Sequence, residues 1–283
     1  MIVIGHRGSP GRLPDHTLEG YRLAIAQGAD YIEPDVVSTR DHALVARHEN
    51  ELSLTTDVAE KFPARRTSRI VDGQRVDGWF VEDLSLDEVR SLRARQPLPF
   101  RDRGHDGRYL VPTLEEVVRL ARDAGVGVIP ETKHPSYFRA LGLPLEEPLV
   151  HLLESHGFRG AADPGWIQSF EASNLRAMTT GIRRLRLIDA PTLTDSELDE
   201  IATYAHGIGV PKAAVIDPAG IATGLVARAH ARGLAVHVWT FRSEAPFLPG
   251  WCGGDPAAEL RRFYAAEVDA VFADFPDVAV AAR

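Results

Sequence analysis

The chain has 283 residues, of which 44% are apolar and 25% charged, with a net charge of −8. This globular composition excludes a mostly disordered chain, and the acidic balance argues against nucleic acid or anionic membranes as partners. No stretch approaches the roughly 18 consecutive apolar residues of a membrane span, and "MIVIG" is too short for the apolar region of a signal peptide, so a cytoplasmic protein without stable membrane association is expected.

In chain order, "IVIG" at 2–5 reads as a first strand running into His6-Arg7-Gly8. Segment 17–29, "TLEGYRLAIAQGA", spaces Leu18, Tyr21, Ala24 and Ile25 near the helical period and stops at Gly28. Strands follow at 30–37 and 43–48. Residues 50–112 then break the pattern. They are polar and rich in Arg, Asp and Gly, with one helical pattern at 85–95, and an excursion this long predicts a lid or an inserted subdomain. A helix is predicted over 113–125, with Thr113 as N-cap, glutamates in the first turn and Gly125 at the stop. Strand 126–132 comes next, then a helix within 145–157 whose start Pro148 delays past its glutamates. Strands at 165–169, 184–188 and 206–210, a helix within 218–233, and strands at 235–241 and 269–273 complete the chain. The single cysteine, Cys252 of "PGWCGGDP", makes no internal disulfide and reads as an unreactive loop thiol.

Strand-then-helix order over the whole length predicts an α/β fold with a parallel sheet covered by helices. Eight such units close into a (β/α)8 TIM barrel, here one domain over 1–283 carrying the insertion at 50–112. Nine candidate strands compete for eight places, so one is misread or stands outside the barrel. An open doubly wound sheet is the alternative, but its Gly-x-Gly-x-x-Gly turn is missing, since "GHRGSPG" does not fit.

Polar residues gather at the ends of the predicted strands. His6 and Arg7 end the first, Glu33 and Asp35 share one face of the second, His48 ends the third, and Glu131 with Lys133 ends the fourth. In a barrel these converge on the C-terminal rim. Two same-face carboxylates repel unless a cation or a proton lies between them. With Glu131 they make three hard oxygen donors, suited to Ca²⁺ or Mg²⁺ rather than zinc. An isolated E-x-D also suits a solvated strand edge or paired salt bridges. Two strand-end histidines suit proton transfer near neutral pH, although such histidines also serve structure. Arg7 and Lys133 fit a phosphate, or act as counter-ions to the carboxylates. The remaining histidines, such as His42, His105, His156 and His230, read as surface residues.

Taken in order, "GHRG", "LPDHTLEGY", "AQGADYIEPDVVSTRDHALVARHE", "IPETK", "WIQSF", "VWTFRSE" and "DAVFADFPD" resemble the glycerophosphodiester phosphodiesterase family, in its larger bacterial form with an insertion after the third strand. The resemblance implies a (β/α)8 barrel that hydrolyses glycerophosphodiesters to sn-glycerol 3-phosphate and an alcohol. It implies that Glu33, Asp35 and Glu131 bind one divalent cation, Ca²⁺ or Mg²⁺, and that His6 and His48 form the acid–base pair. Arg7 and Lys133 would hold the phosphate, and Trp239 of "VWTF" would wall the glycerol pocket. Two positions depart from the family pattern. Asp15 of "PDHT" stands where Glu is frequent, which shortens its reach if it orients His6, and Glu49 follows His48 where Asp is common. Both bear on substrate range.

Two other functions fit the scaffold. A barrel phospholipase of the phosphatidylinositol-specific type needs an apolar rim or an amphipathic helix, for which 50–112 is too polar apart from Trp79-Phe80-Val81. A non-catalytic, metal-stabilised binding protein has no need of both histidines.

Overall fold

The barrel begins with β1 (Ile2–His6) and β2 (Tyr31–Glu33, resumed after Pro34 as Asp35–Ser38) in a computed structural model that describes residues 1–283. The short β3 (Leu44–Ala46) turns back antiparallel on β2, and β4 (Thr67–Val71) pairs with β5 (Gln74–Gly78) in a separate hairpin. The other barrel strands are β6 (Gly127–Val128, resumed as Glu131–Thr132), β7 (Trp166–Ser169) and β8 (Arg183–Leu187). They are completed by β9 (Gly207–Pro211), β10 (Ala235–Phe241) and β11 (Ala270–Ala273). Parallel pairing runs β1–β2–β6–β7–β8–β9–β10–β11 and closes where Ile2 of β1 meets Ala270 of β11. This is the expected (β/α)8 barrel.

The ring also disposes of the ninth candidate. Segment 43–48 is the one outside the barrel. The few residues between Ser38 and Leu44 allow a reversal but not the dozen or so residues of a parallel crossover. The insertion therefore follows a side strand, not a third barrel strand.

Helix boundaries follow local capping. The first helix, α1 (Leu18–Ala26), starts where the Thr17 side chain accepts from the Gly20 N–H. In the insertion, α2 (Leu86–Ser91) opens with a Ser85/Glu88 capping box. A second box, Thr113/Glu116, opens α3 (Leu114–Ala124), which ends at Gly125 in the left-handed conformation and buries Leu114, Val117, Val118 and Ala121. Two expectations need correction. Pro148 does not delay α4 (Glu146–Ser155), because it sits in the first turn, where a missing N–H costs no helical bond. The pattern at 218–233 yields only α5 (Leu225–His230), because the Asp217 side chain accepts from the N–H groups of Ala219 and Ile221 and ties the preceding residues into a turn.

Buried apolar side chains fall in two layers. The larger lies between the strands and the outer helices and continues into the insertion through Leu52, Val58, Val81 and Leu92. Phe80 and Val81 are wholly buried there, and Trp79 donates its indole N–H to the Phe62 carbonyl at 2.7 Å. Trp79-Phe80-Val81 thus serves the packing of the insertion. The smaller layer plugs the barrel interior with Ile4, Tyr31, Ile129, Trp166, Leu185 and Phe272. No helix is long and apolar enough to cross a membrane.

His237 sits beside this plug, edge-on to Trp166, and neither of its ring nitrogens has a hydrogen-bond partner. Burial pushes it down to about 4 from the ordinary 6.5. Below 6.5 the unfolded chain takes up a proton that the folded chain refuses, so stability falls as the pH drops from 6.5 toward 4. The expected loss is about 2 kcal/mol at pH 5. His237→Phe keeps an aromatic ring between Trp166 and Phe272 and is expected to flatten this part of the Tm–pH curve by calorimetry. An unchanged slope would assign it to other groups.

Candidate active site

Side chains alternate along each strand, so those facing the barrel axis can be followed upward from the plug. Ile4 leads to His6, Tyr31 to Glu33 and Asp35, Ile129 to Glu131 and Lys133, Trp166 to Gln168, and Phe272 to Asp274. Each series is apolar in the middle of the barrel and polar at the C-terminal rim. His6, Arg7, Glu33, His48, Glu131, Lys133 and Trp239 line one cavity of about 150 Å³, with Leu187 and Phe272 also in its wall. Asp35 completes the set, since oxygens of Glu33, Asp35 and Glu131 lie within 4.8 Å of one another. All eight residues singled out from the sequence are therefore brought together.

The turn after β1 aims Arg7. Its φ is +56°, and its N–H donates to the Glu33 carboxylate at 2.8 Å. Gly8 follows at φ +98°, where a Cβ would lie 2.8 Å from the backbone of Gly20 in α1, so only glycine lets the turn pack there. The Arg7 guanidinium lies 3.3 Å from both Asp15 and Asp35.

The three carboxylates differ in their surroundings. Burial, followed by the charges of Asp35 and Glu131, pushes Glu33 well above the usual range. Burial also pushes Glu131 up to about 7, although Lys133 Nζ donates to it at 2.7 Å. At Asp35 burial is outweighed by the Lys133 charge and a hydrogen bond from His16, which hold it well below the usual range. Asp35 Oδ1 and Gln168 Oε1 are buried without partners. An all-oxygen cluster with unpartnered buried acceptors and two carboxyls displaced upward fits a hard divalent cation, whose charge would keep all three acids ionised.

His16 and His237 correct the assignment of the remaining histidines to the surface, for both are buried. Burial pushes His16 down to about 4, so it is neutral at physiological pH. It donates Nε2–H to Asp35 at 2.9 Å and accepts at Nδ1 from the Tyr21 hydroxyl at 2.7 Å.

Each of the two rim histidines is oriented by a carboxylate. His6 donates Nδ1–H to Asp274 Oδ1 at 2.6 Å, and the other Asp274 oxygen accepts from Arg101 and Arg242. Burial, then the Arg7 charge, lowers the His6 pKa. His48 donates Nδ1–H to Glu49 at 2.5 Å, and its Nε2 lies 3.2 Å from Lys133 Nζ. Burial, Arg7 and Lys133 push it down to about 4. Both rings thus carry the lone pair on Nε2.

Asp274, Gln168, His16, Arg101 and Arg242 escaped the sequence reading. Asp274 and Gln168 were legible by the rule that found His6, as polar residues two positions beyond an apolar residue facing the barrel axis. His16 lies in a turn at φ +52°, and Arg101 in the irregular insertion, where no periodicity marks them.

Residues 6–278 match the model of the Glycerophosphoryl diester phosphodiesterase family. The chain belongs to that family. A glycerophosphodiester phosphodiesterase of Arabidopsis thaliana is 35% identical over 96% of this chain and 83% of its own length. One from Bacillus subtilis is 28% identical over 98% and 85%. Among solved structures, the glycerophosphodiester phosphodiesterase of Agrobacterium tumefaciens superposes with a TM-score of 0.69 at 21% identity, covering 99% of each chain. An Oleispira antarctica phosphodiesterase in complex with the product sn-glycerol-3-phosphate gives 0.70 at 22% identity, over 100% of this chain and 96% of that one. Against the family pattern, the short Asp15 does not orient His6. It reaches Arg7, and Asp274 takes the role at His6. Glu49 in place of Asp still reaches its histidine.

Proposed function

We propose that this member of the family hydrolyses glycerophosphodiesters to sn-glycerol 3-phosphate and an alcohol, with His6 and His48 as the acid–base pair. The observation that carries this reading is the shared cavity. It brings two histidines with unprotonated Nε2 atoms, that of His48 beside Lys133 Nζ, two cations and a three-carboxylate cluster to one rim. A phosphodiester bears one negative charge and gains more during substitution at phosphorus, so catalysis requires positive charge aimed at the phosphoryl oxygens. Arg7 and Lys133 supply it from fixed positions, each steadied by acidic neighbours. Glu33, Asp35 and Glu131 would hold one Ca²⁺ or Mg²⁺, which supplies Lewis-acid stabilisation of that charge when bound. One imidazole Nε2 takes the proton of the attacking hydroxyl, from water or from the glycerol 2-position. The other acts as the acid in its imidazolium form, which the phosphate anion and its carboxylate partner favour once substrate is bound, and delivers its Nε2 proton to the departing alkoxide, while Asp274 and Glu49 steady the rings as their charge changes. Trp239 stands edge-on to Phe170 at 6.0 Å and gives the glycerol a flat apolar wall.

Release of glycerol 3-phosphate from glycerophosphocholine tests the proposal. Chelator-stripped enzyme is expected to be nearly inactive, and addition of Ca²⁺ or Mg²⁺ alone to restore turnover. Full turnover without metal would remove the role given to the carboxylates. No release with either metal, from a folded sample, would leave a binding function.

A further inference from the structure

Arg101 belongs to the insertion, yet its side chain is only 4% exposed against the barrel rim. It is carried by a loop closed at its base, where the Ala94 N–H donates to the Tyr109 carbonyl at 2.8 Å and Arg93 pairs with Leu110. Two of its side chains donate hydrogen bonds to the barrel, beside ring contacts of Phe100 with Phe247 and of Arg101 with Phe275. Gln96 donates its side-chain amide to the Pro10 carbonyl at 2.9 Å, a neutral tie. Arg101 donates Nε to Glu244 and Nη2 to Asp274 Oδ2, each at 2.6 Å. The second Asp274 oxygen holds His6 Nδ1, so a single carboxylate joins the insertion to the imidazole.

A buried ion pair is a poor device for docking alone, because desolvation cancels most of its attraction and apolar contact does as well. What a guanidinium fork adds is orientation. Arg101 pins Oδ2 from the buried side, while Arg242, whose side chain is 29% exposed, reaches the same oxygen at 3.0 Å. Oδ1 is then left to one donor, the Nδ1–H of His6. That fixes the tautomer and turns Nε2 toward the cavity.

We infer that Arg101 is a positioning residue: through Asp274 it sets the orientation and tautomer of His6, so the insertion completes the active site of the barrel. The inference rests on the role proposed for His6. Loss of the constraint misplaces a reacting nitrogen, an error worth on the order of 10²-fold in rate.

The test compares the full-length enzyme with its Arg101→Ala, Arg101→Lys and Gln96→Ala variants by two readouts. In turnover of glycerophosphocholine, Arg101→Ala is expected to lose roughly 10²-fold in kcat while KM stays within about 3-fold. Lysine, or millimolar guanidinium ion added to the alanine variant, should recover part of the loss. Gln96→Ala, which removes the neutral tie and a local acceptor for the Leu98 N–H but leaves Arg101 on Asp274, should stay near wild type. In ¹⁵N NMR of the imidazoles, His6 is expected as one fixed Nδ1–H tautomer in the wild type and as an average in Arg101→Ala. The second readout holds even if His6→Ala retains turnover, a result that would remove the catalytic role of His6 and leave its link to Arg101 to be decided by the spectrum. An unaltered His6 signal in Arg101→Ala, or an equal loss of kcat in Gln96→Ala, would overturn the inference.

Discussion

Replacement of His6 or of His48 by alanine is expected to lower kcat by roughly 10²–10⁴-fold in each case, with the fold retained. Neither change strands a buried charge. Without the imidazole of His6, Asp274 keeps Arg101 and Arg242, and without that of His48, Lys133 keeps Glu131. Thermal melts close to wild type would therefore separate lost chemistry from lost structure. A substrate with an activated leaving group divides the two roles further. A glycerophosphoryl aryl ester expels a phenolate that needs no proton, so the variant lacking the general acid should recover most of its rate on that substrate. The variant lacking the general base should not. Near wild-type turnover in both single variants would sink the scheme.

The barrel was legible because its strands obey simple rules. Short apolar runs alternate with capped amphipathic helices, and the period-two alternation of β2 puts Glu33 and Asp35 on one face. What the residues of a strand do not carry by themselves is the direction of pairing. The run ending at Ala46 is as apolar as a barrel strand, and only the short connection from Ser38 marks it as antiparallel. The site was legible in its strand-end members and obscure in their partners. His6 stands out at the end of "IVIG", but the carboxylate that orients it lies 268 residues away and is brought near by barrel closure. Asp15, much closer in sequence, is the plausible partner on paper and instead faces Arg7. Arg101 is harder still. Nothing in "LPFRDRGHDG" distinguishes a buried arginine from the exposed Arg103 two positions on.

Glu33→Gln is expected to abolish metal-dependent turnover while leaving the metal-free protein as stable as wild type. Both oxygens of Glu33 accept hydrogen bonds, one from the Arg7 N–H and one from Gln168 Nε2. A neutral amide provides one acceptor and one donor, and the donor finds a partner if Gln168 turns its amide over, because Gln168 Oε1 is unpartnered. The substitution also removes a buried carboxylate that Asp35 and Glu131 repel. The turned amide gives up only a long contact to the Ile129 carbonyl at 3.5 Å, so little in the metal-free fold is lost. With a cation present the balance reverses. A cation at a hundred times its Kd stabilises the wild type by about 2.7 kcal/mol, whereas a site short of one charged ligand should show little rise in Tm at the same concentration. Several kcal/mol of Lewis-acid stabilisation in the transition state disappear with the ion, so kcat is expected to fall by roughly 10²–10³-fold. Thermal melts with and without Ca²⁺ or Mg²⁺ read the first effect and glycerol 3-phosphate release the second. A cation-induced rise in Tm equal to that of the wild type would remove Glu33 from the ligand set, because a ligand cannot be neutralised without cost to the ion it holds.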